Sequence, residues 1–216
     1  MVREADRPSI PSELTVNGLA RTQQRAKLRR ELLDARSKVA FELRARQLAA
    51  MAPRLDALVA QRTGPMAGKI IGVYWPIRGE PDLRSLFVEW HARGAALALP
   101  VVDAQATPLR FVRWAPDDAL VRGLHGVPVP QHGATVMPDL LIIPCVGFDA
   151  RGYRLGYGSG YYDRTLALAQ PQTIGVAWSE ALLPQFEPEA TDRTLDAIVT
   201  PDRVWDSVRQ QGISPA

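Results

Sequence analysis

Short apolar runs rich in β-branched residues alternate along this chain with segments of helical period, and that alternation limits the fold more than any other feature. Residues 69–76 (KIIGVYWP), 96–102 (ALALPVV), 109–114, 139–146 (DLLIIPCV), 173–178 and 195–200 each read as a strand. Strands buried on both faces are expected to be continuous in apolar character, as 69–76 is. Before the first strand, Leu28, Leu32, Ala35 and Val39 recur at helical spacing, and Phe41, Ala45, Leu48, Ala52 and Leu55 repeat it, so two helices broken near Ser37 open the domain. Further helices are expected at 81–93, with Asp82 in the first turn and Gly94 as the stop, and at 161–168 after Gly160. Strands separated by helices imply an α/β fold, a three-layer α/β/α sandwich with a mainly parallel sheet. Ligands of such sheets gather at the carboxyl ends of the strands, here after Pro76, Val102, Val146 and Trp178.

At 216 residues the chain is long enough for one sizeable core, so a single domain is expected over residues 21–216. Residues 1–20 are polar and proline-punctuated without a period, which suits a flexible lead-in. No run approaches the roughly 18 apolar residues of a spanning helix, and Arg3, Glu4, Asp6, Arg7 and Glu13 stand where a secretion signal needs an apolar core. Cys145 is the only cysteine, so no intrachain disulfide and no cysteine-based metal site can form. A cytoplasmic monomer without a membrane partner is the expectation. The net charge of +3 conceals an uneven distribution, since residues 1–60 hold 12 basic and 7 acidic side chains. A basic N-terminal excess suits a polyanion, either nucleic acid or a phosphorylated small molecule. A non-catalytic nucleic-acid binder is the alternative reading, but it calls for aromatics among the basic residues, and Phe41 is the only one before residue 60.

The segment GFDARGYRLGYGSGYYD at 147–163 is the richest in chemistry. Gly156, Gly158 and Gly160 alternate just before a helix start, where bare backbone N–H groups and the positive helix end can cradle phosphate. A turn that merely needs positive φ values is the competing reading. The spacing is not the G-x-G-x-x-G of a dinucleotide fold, and GPMAGKI at 64–70 is too short for a P-loop and precedes a strand. Arg154 upstream can neutralise phosphate charge, while Asp163 downstream can hold a magnesium ion or simply favour the helix dipole. At about 100° per residue, Arg25, Arg29 and Arg36 fall near 0°, 40° and 20° on their helix, along one border of an apolar stripe centred near 310°, a row suited to nucleotide phosphate. Glu80, at a strand's carboxyl end behind Gly79, can meet a polar substrate or cap the next helix, and Trp75 offers a flat apolar wall. His91, His125 and His132 show no ligand spacing and read as solvated or locally bonded, and Cys145 reads as a buried small hydrophobe.

The run FDARGYRLGYGSGYYDR at 148–164, PIRGEPD at 76–82 and the helix bearing Arg25, Leu28, Arg29 and Arg36 closely resemble the 5-formyltetrahydrofolate cyclo-ligase family, over about residues 22–203. The resemblance implies a CoA-transferase-like three-layer sandwich and an ATP- and Mg²⁺-dependent ligase acting on 5-formyltetrahydrofolate. The formyl oxygen attacks the γ-phosphoryl of ATP, N10 closes onto the activated carbon, and 5,10-methenyltetrahydrofolate, ADP and phosphate result. By motif position it implies ATP contacts from Arg25, Arg29, Arg154, Leu155, Gly156, Tyr157, Gly158, Ser159, Gly160, Tyr161 and Tyr162, with Arg154 and Tyr161 at the chemistry. It likewise implies folate contacts from Trp75 and Glu80 and metal contacts from Asp163 and Asp192. Val129, Ser159 and Thr191 depart from residues common at their positions in the family.

Overall fold

Residues 12–206 are described by a computed structural model. Two long helices, α1 (Ser12–Ser37) and α2 (Phe41–Thr63), precede β1 (Ile70–Gly72), α3 (Arg84–Ala92), β2 (Ala96–Val101) and β3 (Arg110–Trp114). Four strands follow: β4 (Leu120–Arg122) and β5 (Pro128–Pro130), which pair only with each other, then β6 (Thr135–Val136) and the longer β7 (Leu140–Pro144). The chain closes with β8 (Gly147–Phe148), β9 (Arg154–Leu155), α4 (Tyr161–Leu168), β10 (Gln172–Val176), β11 (Ala197–Val199) and β12 (Val204–Asp206).

Eight strands form the main sheet in the order β12-β11-β10-β7-β1-β2-β3-β6. The five from β11 to β2 run parallel, and β12, β3 and β6 pair antiparallel at the edges. Side chains alternate across β7, so Leu140 and Ile142 pack on one face and Leu141 and Ile143 on the other. The first face is covered by α2, through Met51, Leu55, Leu58 and Val59, and by α3, through Leu86, Phe87 and Trp90. Leu166 of α4 and Phe148 cover the second face. The expected three-layer sandwich with a mainly parallel sheet is therefore what the chain forms. Among the described residues no helix is long and apolar enough to cross a membrane.

Four expectations need correction. The first helix starts at Ser12, not near Thr22, so residues 12–20 are helical where a flexible lead-in was expected; residues 1–11 lie outside the described residues. Apolar spacing could not reveal this stretch, because once a turn is nucleated each added residue costs little, and polar sequence suffices. The strand expected at 69–76 pairs only over Ile70–Gly72, because its second half leaves the sheet to build a wall at the strand ends. The helix expected at 81–93 starts at Arg84, with Asp82 accepting from the Arg84 backbone N–H at 3.3 Å. Helix α1 also inverts its expected burial: Arg25 and Arg36 are 5% exposed, whereas Leu28 and Leu32 are only half-buried and Ala35 is exposed.

Candidate functional site

The carboxyl ends of β1, β2 and β7 open into a cavity of about 700 Å³, walled on the remaining sides by α1, the 154–164 segment, the β4–β5 hairpin and the loop at 189–192. The glycine run forms its floor. Gly158 and Gly160 adopt φ of 99° and 65°, a region that side chains strain to enter, and Gly160 is the N-cap of α4. A side chain at Gly158 would also crowd Arg29, whose guanidinium carbon lies 3.2 Å from the position of the missing Cβ. Bare backbone at the positive end of a helix, with a guanidinium pressed against it, is an arrangement suited to phosphate.

Helix α1 supplies that guanidinium because its arginines are anchored to loops at the strand ends. Arg29 donates from Nε to the Gly156 carbonyl at 2.7 Å, and burial followed by the neighbouring charge of Arg25 lowers its pKa from the ordinary arginine value. Burial disfavours the charged form of Arg29, and an anion arriving beside it would offset that cost. Arg25 forms a buried ion pair with Asp192 at 2.6 Å. Arg36 does not join this row; it donates to the Cys145 carbonyl at 2.8 Å and faces a second cavity. Of the three arginines aligned by sequence, then, two line the cavity of the glycine run, and Arg29 bonds to that run.

Most residues expected at the nucleotide loop line the first cavity: Arg154, Gly156, Tyr157, Gly158, Ser159, Gly160, Tyr161 and Tyr162. Leu155 does not, being fully buried in β9, where its part is packing. Arg154 is nearly buried and bridges Asp163, at 2.7 Å, and the Arg193 carbonyl, at 2.8 Å. Burial drives the Tyr162 phenol well above its usual range, so that ring stays neutral. Tyr161 accepts or donates at 3.0 Å with Nε2 of His125, and Arg164 lies over its ring at 5.3 Å. Arg164 further donates to the carbonyls of Thr107 and Ser159, pinning the loop.

The carboxylates expected to hold a metal are each tied to an arginine. Asp192 uses Oδ2 for Arg25 Nη1 and the Glu189 N–H, and Oδ1 for Arg25 Nη2 at 3.3 Å. Asp163 Oδ1 accepts from Arg154 and from the Arg193 N–H. No group of three or more His, Cys, Asp or Glu suited to a metal occurs among the described residues. This donor set does not fit a metal cage built by the protein.

Trp75 and Glu80 stand where the first cavity meets the second, which measures about 890 Å³. Glu80 is 6% exposed, so it is no surface cap. Its Oε2 accepts from the Ile77 N–H at 2.9 Å and its Oε1 from the Tyr157 hydroxyl at 3.0 Å. Desolvation raises its carboxyl from 4.5 to about 7, against the pull of those two hydrogen bonds. Arg78, at φ 47°, turns the chain here and lies 5.4 Å from the Tyr157 ring. Cys145 is fully buried, with its thiol pushed up to about 12, and is inert as expected.

Sequence reasoning missed His125, Arg164 and Arg78 as wall residues and Glu189 as a second acidic neighbour of Arg25, at 3.5 Å. Arg164 and Arg78 carried a legible signal, their places in the quoted runs at 148–164 and 76–82; His125 reaches the site through a hairpin fold-back that no spacing reports.

The profile of the 5-formyltetrahydrofolate cyclo-ligase family matches residues 21–201. The chain is 34% identical over 145 residues to 5-formyltetrahydrofolate cyclo-ligase of Escherichia coli, covering 63% of this chain and 80% of that one. It is 29% identical over 191 residues to the enzyme of the same name from Mycolicibacterium smegmatis, covering 84% and 95% respectively. The solved structure of 5,10-methenyltetrahydrofolate synthetase from Aquifex aeolicus superposes with a TM-score of 0.75 at 31% identity, over 89% of this chain and 96% of the other.

Proposed function

The chain belongs to the 5-formyltetrahydrofolate cyclo-ligase family, and on that premise we propose that it converts 5-formyltetrahydrofolate and ATP to 5,10-methenyltetrahydrofolate, ADP and phosphate. The formyl oxygen attacks the γ-phosphorus as the bond to the ADP oxygen breaks, giving an imidate phosphate. N10 then adds to the formyl carbon, and the formyl oxygen and the N10 proton leave together as hydrogen phosphate.

Phosphoryl transfer of this kind depends on positioning and on neutralising oxygen charge, and it needs no covalent nucleophile. Arg25, Arg29 and Arg154 supply fixed cations, and the backbone at 156–160 with the start of α4 supplies N–H donors. Tyr161 sits at the start of that helix, its hydroxyl bonded to His125, and orients the terminal phosphate. Trp75 and Glu80 hold the folate. Magnesium would arrive with the triphosphate of ATP and would supply charge neutralisation there, held by the phosphate oxygens, because Asp163 and Asp192 are already paired with Arg154 and Arg25.

One observation carries the reading: Tyr157 of the glycine run donates to Glu80 of the substrate wall at 3.0 Å, so the phosphate cradle and the folate wall are one hydrogen bond apart. Mixing the protein with ATP, Mg²⁺ and 5-formyltetrahydrofolate should produce the absorbance of the methenyl product only when ATP is present. Folded protein that gives no ATP-dependent signal would contradict it.

A further inference from the structure

A tight turn whose two central residues both take positive φ is ordinarily built from glycine and asparagine, because longer side chains strain to enter that region. The turn at 77–80 has this form: the Glu80 N–H donates to the Ile77 carbonyl at 3.0 Å, and the two residues between them have φ of 47° and 73°. The second of these is Gly79, but the first is Arg78. We propose that Arg78 is a further catalytic residue, whose guanidinium bonds the phosphoryl group as it passes from ADP to the formyl oxygen. This assignment rests on the cyclo-ligase reading above.

Three contacts hold the turn, and none of them uses the Arg78 side chain. Glu80 Oε2 accepts from the Ile77 N–H at 2.9 Å, Trp178 donates from Nε1 to the Gly79 carbonyl at 2.8 Å, and the stem of Arg36 lies 3.4 Å from where a Cβ at Gly79 would stand. Backbone strain persists only where the surroundings over-determine it, and it gathers at sites that use it. It does so here. Of the three non-glycine residues with positive φ among the described residues, two, Arg78 and His125, line the cavity of the glycine run.

The charge of Arg78 is also uncommitted. Arg25 and Arg154 pair with Asp192 and Asp163, Arg29 donates to the Gly156 carbonyl, and Arg164 donates to those of Thr107 and Ser159. Arg78 is the remaining arginine of this cavity, and among the described residues it has no hydrogen bond or ion pair to the chain. Glu80 is close in sequence, but both its oxygens already accept, from Ile77 and Tyr157. The Arg78 guanidinium lies instead 5.4 Å from the ring of Tyr157, a residue of the glycine run. Trp75 and Glu80 line both cavities, whereas Arg78 lines only the one with the glycine run, so its cation stands on the phosphate side of the boundary. A guanidinium keeps its proton throughout and offers a fork of donors to phosphoryl oxygens. As the formyl oxygen bonds to phosphorus and the bond to the ADP oxygen breaks, charge spreads over the oxygens in transit, and a cation free of other partners can follow them without breaking a pair.

Steady-state kinetics on the full chain test the assignment, with thermal melting to show that each variant is folded. Arg78→Gly, which suits the turn, and Arg78→Ala should each lower kcat at least about tenfold while KM for ATP and for 5-formyltetrahydrofolate stays within about threefold. Arg78→Lys, which keeps the charge without the fork, should recover part of the loss. A loss below about tenfold in the glycine variant, a loss confined to the alanine variant, or a KM that rises with kcat unchanged would mean that Arg78 serves the turn or substrate binding. Each of these overturns the proposal and leaves the cyclo-ligase reading in place. A folded wild type with no ATP-dependent turnover overturns both.

Discussion

Helices α1 and α2 follow one another in the chain, have similar lengths and carry similar numbers of arginines, yet they are held by opposite means. Helix α2 buries Met51, Leu55, Leu58 and Val59 against the sheet. Helix α1 buries Arg25 and Arg36 and leaves Leu28 and Leu32 half-covered; its polar links to the rest of the chain include ion pairs from Arg25 to Asp192 and Glu189 and donations to the carbonyls of Gly156 and Cys145. A helix docked by apolar area is a permanent part of the core. One docked by charge to loops at the strand ends responds to whatever charge arrives there, so α1 belongs to the site in a way that α2 does not.

The largest expected effect breaks the core side of this contrast. Leu55→Ala should lower stability by about 2–5 kcal/mol, the usual cost of emptying a buried leucine site, while the surviving folded fraction keeps its KM for ATP. Chemical denaturation paired with kinetics reads both quantities. Next is Glu80, whose carboxyl rises from 4.5 to about 7 on folding. The folded chain thus binds this proton more tightly than the unfolded chain, so its contribution is fully present below pH 4.5 and is lost as pH climbs through 7, roughly 3 kcal/mol across that window. Glu80→Gln should flatten the stability profile between those limits, and a profile unchanged from the wild type would contradict the burial described.

Arg29→Ala should do the reverse of Leu55→Ala. It should remove at least about 2 kcal/mol of transition-state stabilisation, some 30-fold in kcat/KM, with little loss of stability, because the substitution also relieves the repulsion from Arg25. Equal losses of activity and stability would erase the distinction between the two helices. The smallest effect sharpens it: Lys27 lies on the outer face of α1, 71% exposed and 3.8 Å from Glu31, and Lys27→Ala should change melting and activity by less than about 0.5 kcal/mol.

The same contrast explains what could be read from the chain in advance. Helix α2, the parallel strands and α4 followed from periodicity, since an apolar stripe or run reports burial directly. The glycine run was legible because φ values of 99° and 65° admit few other residues. Burial in α1 was misread for a physical reason: an arginine is buried only when partners elsewhere satisfy it, and Asp192 lies 167 residues away. His125 was hidden likewise, since its contact with Tyr161 spans 36 residues and depends on the β4–β5 hairpin. The ties of Asp163 and Asp192 to arginines were equally invisible, as spacing shows that a carboxylate is near but not what already holds it.

Amide hydrogen exchange on the full chain, with and without ATP, tests the central claim most directly. Nucleotide should slow exchange in the second half of α1 and across residues 154–163, while α2 stays unchanged within error. Exchange in α1 indifferent to ATP, or protection gained equally by α2, would mean that the arginine helix is ordinary scaffold and that the phosphate cradle lies elsewhere.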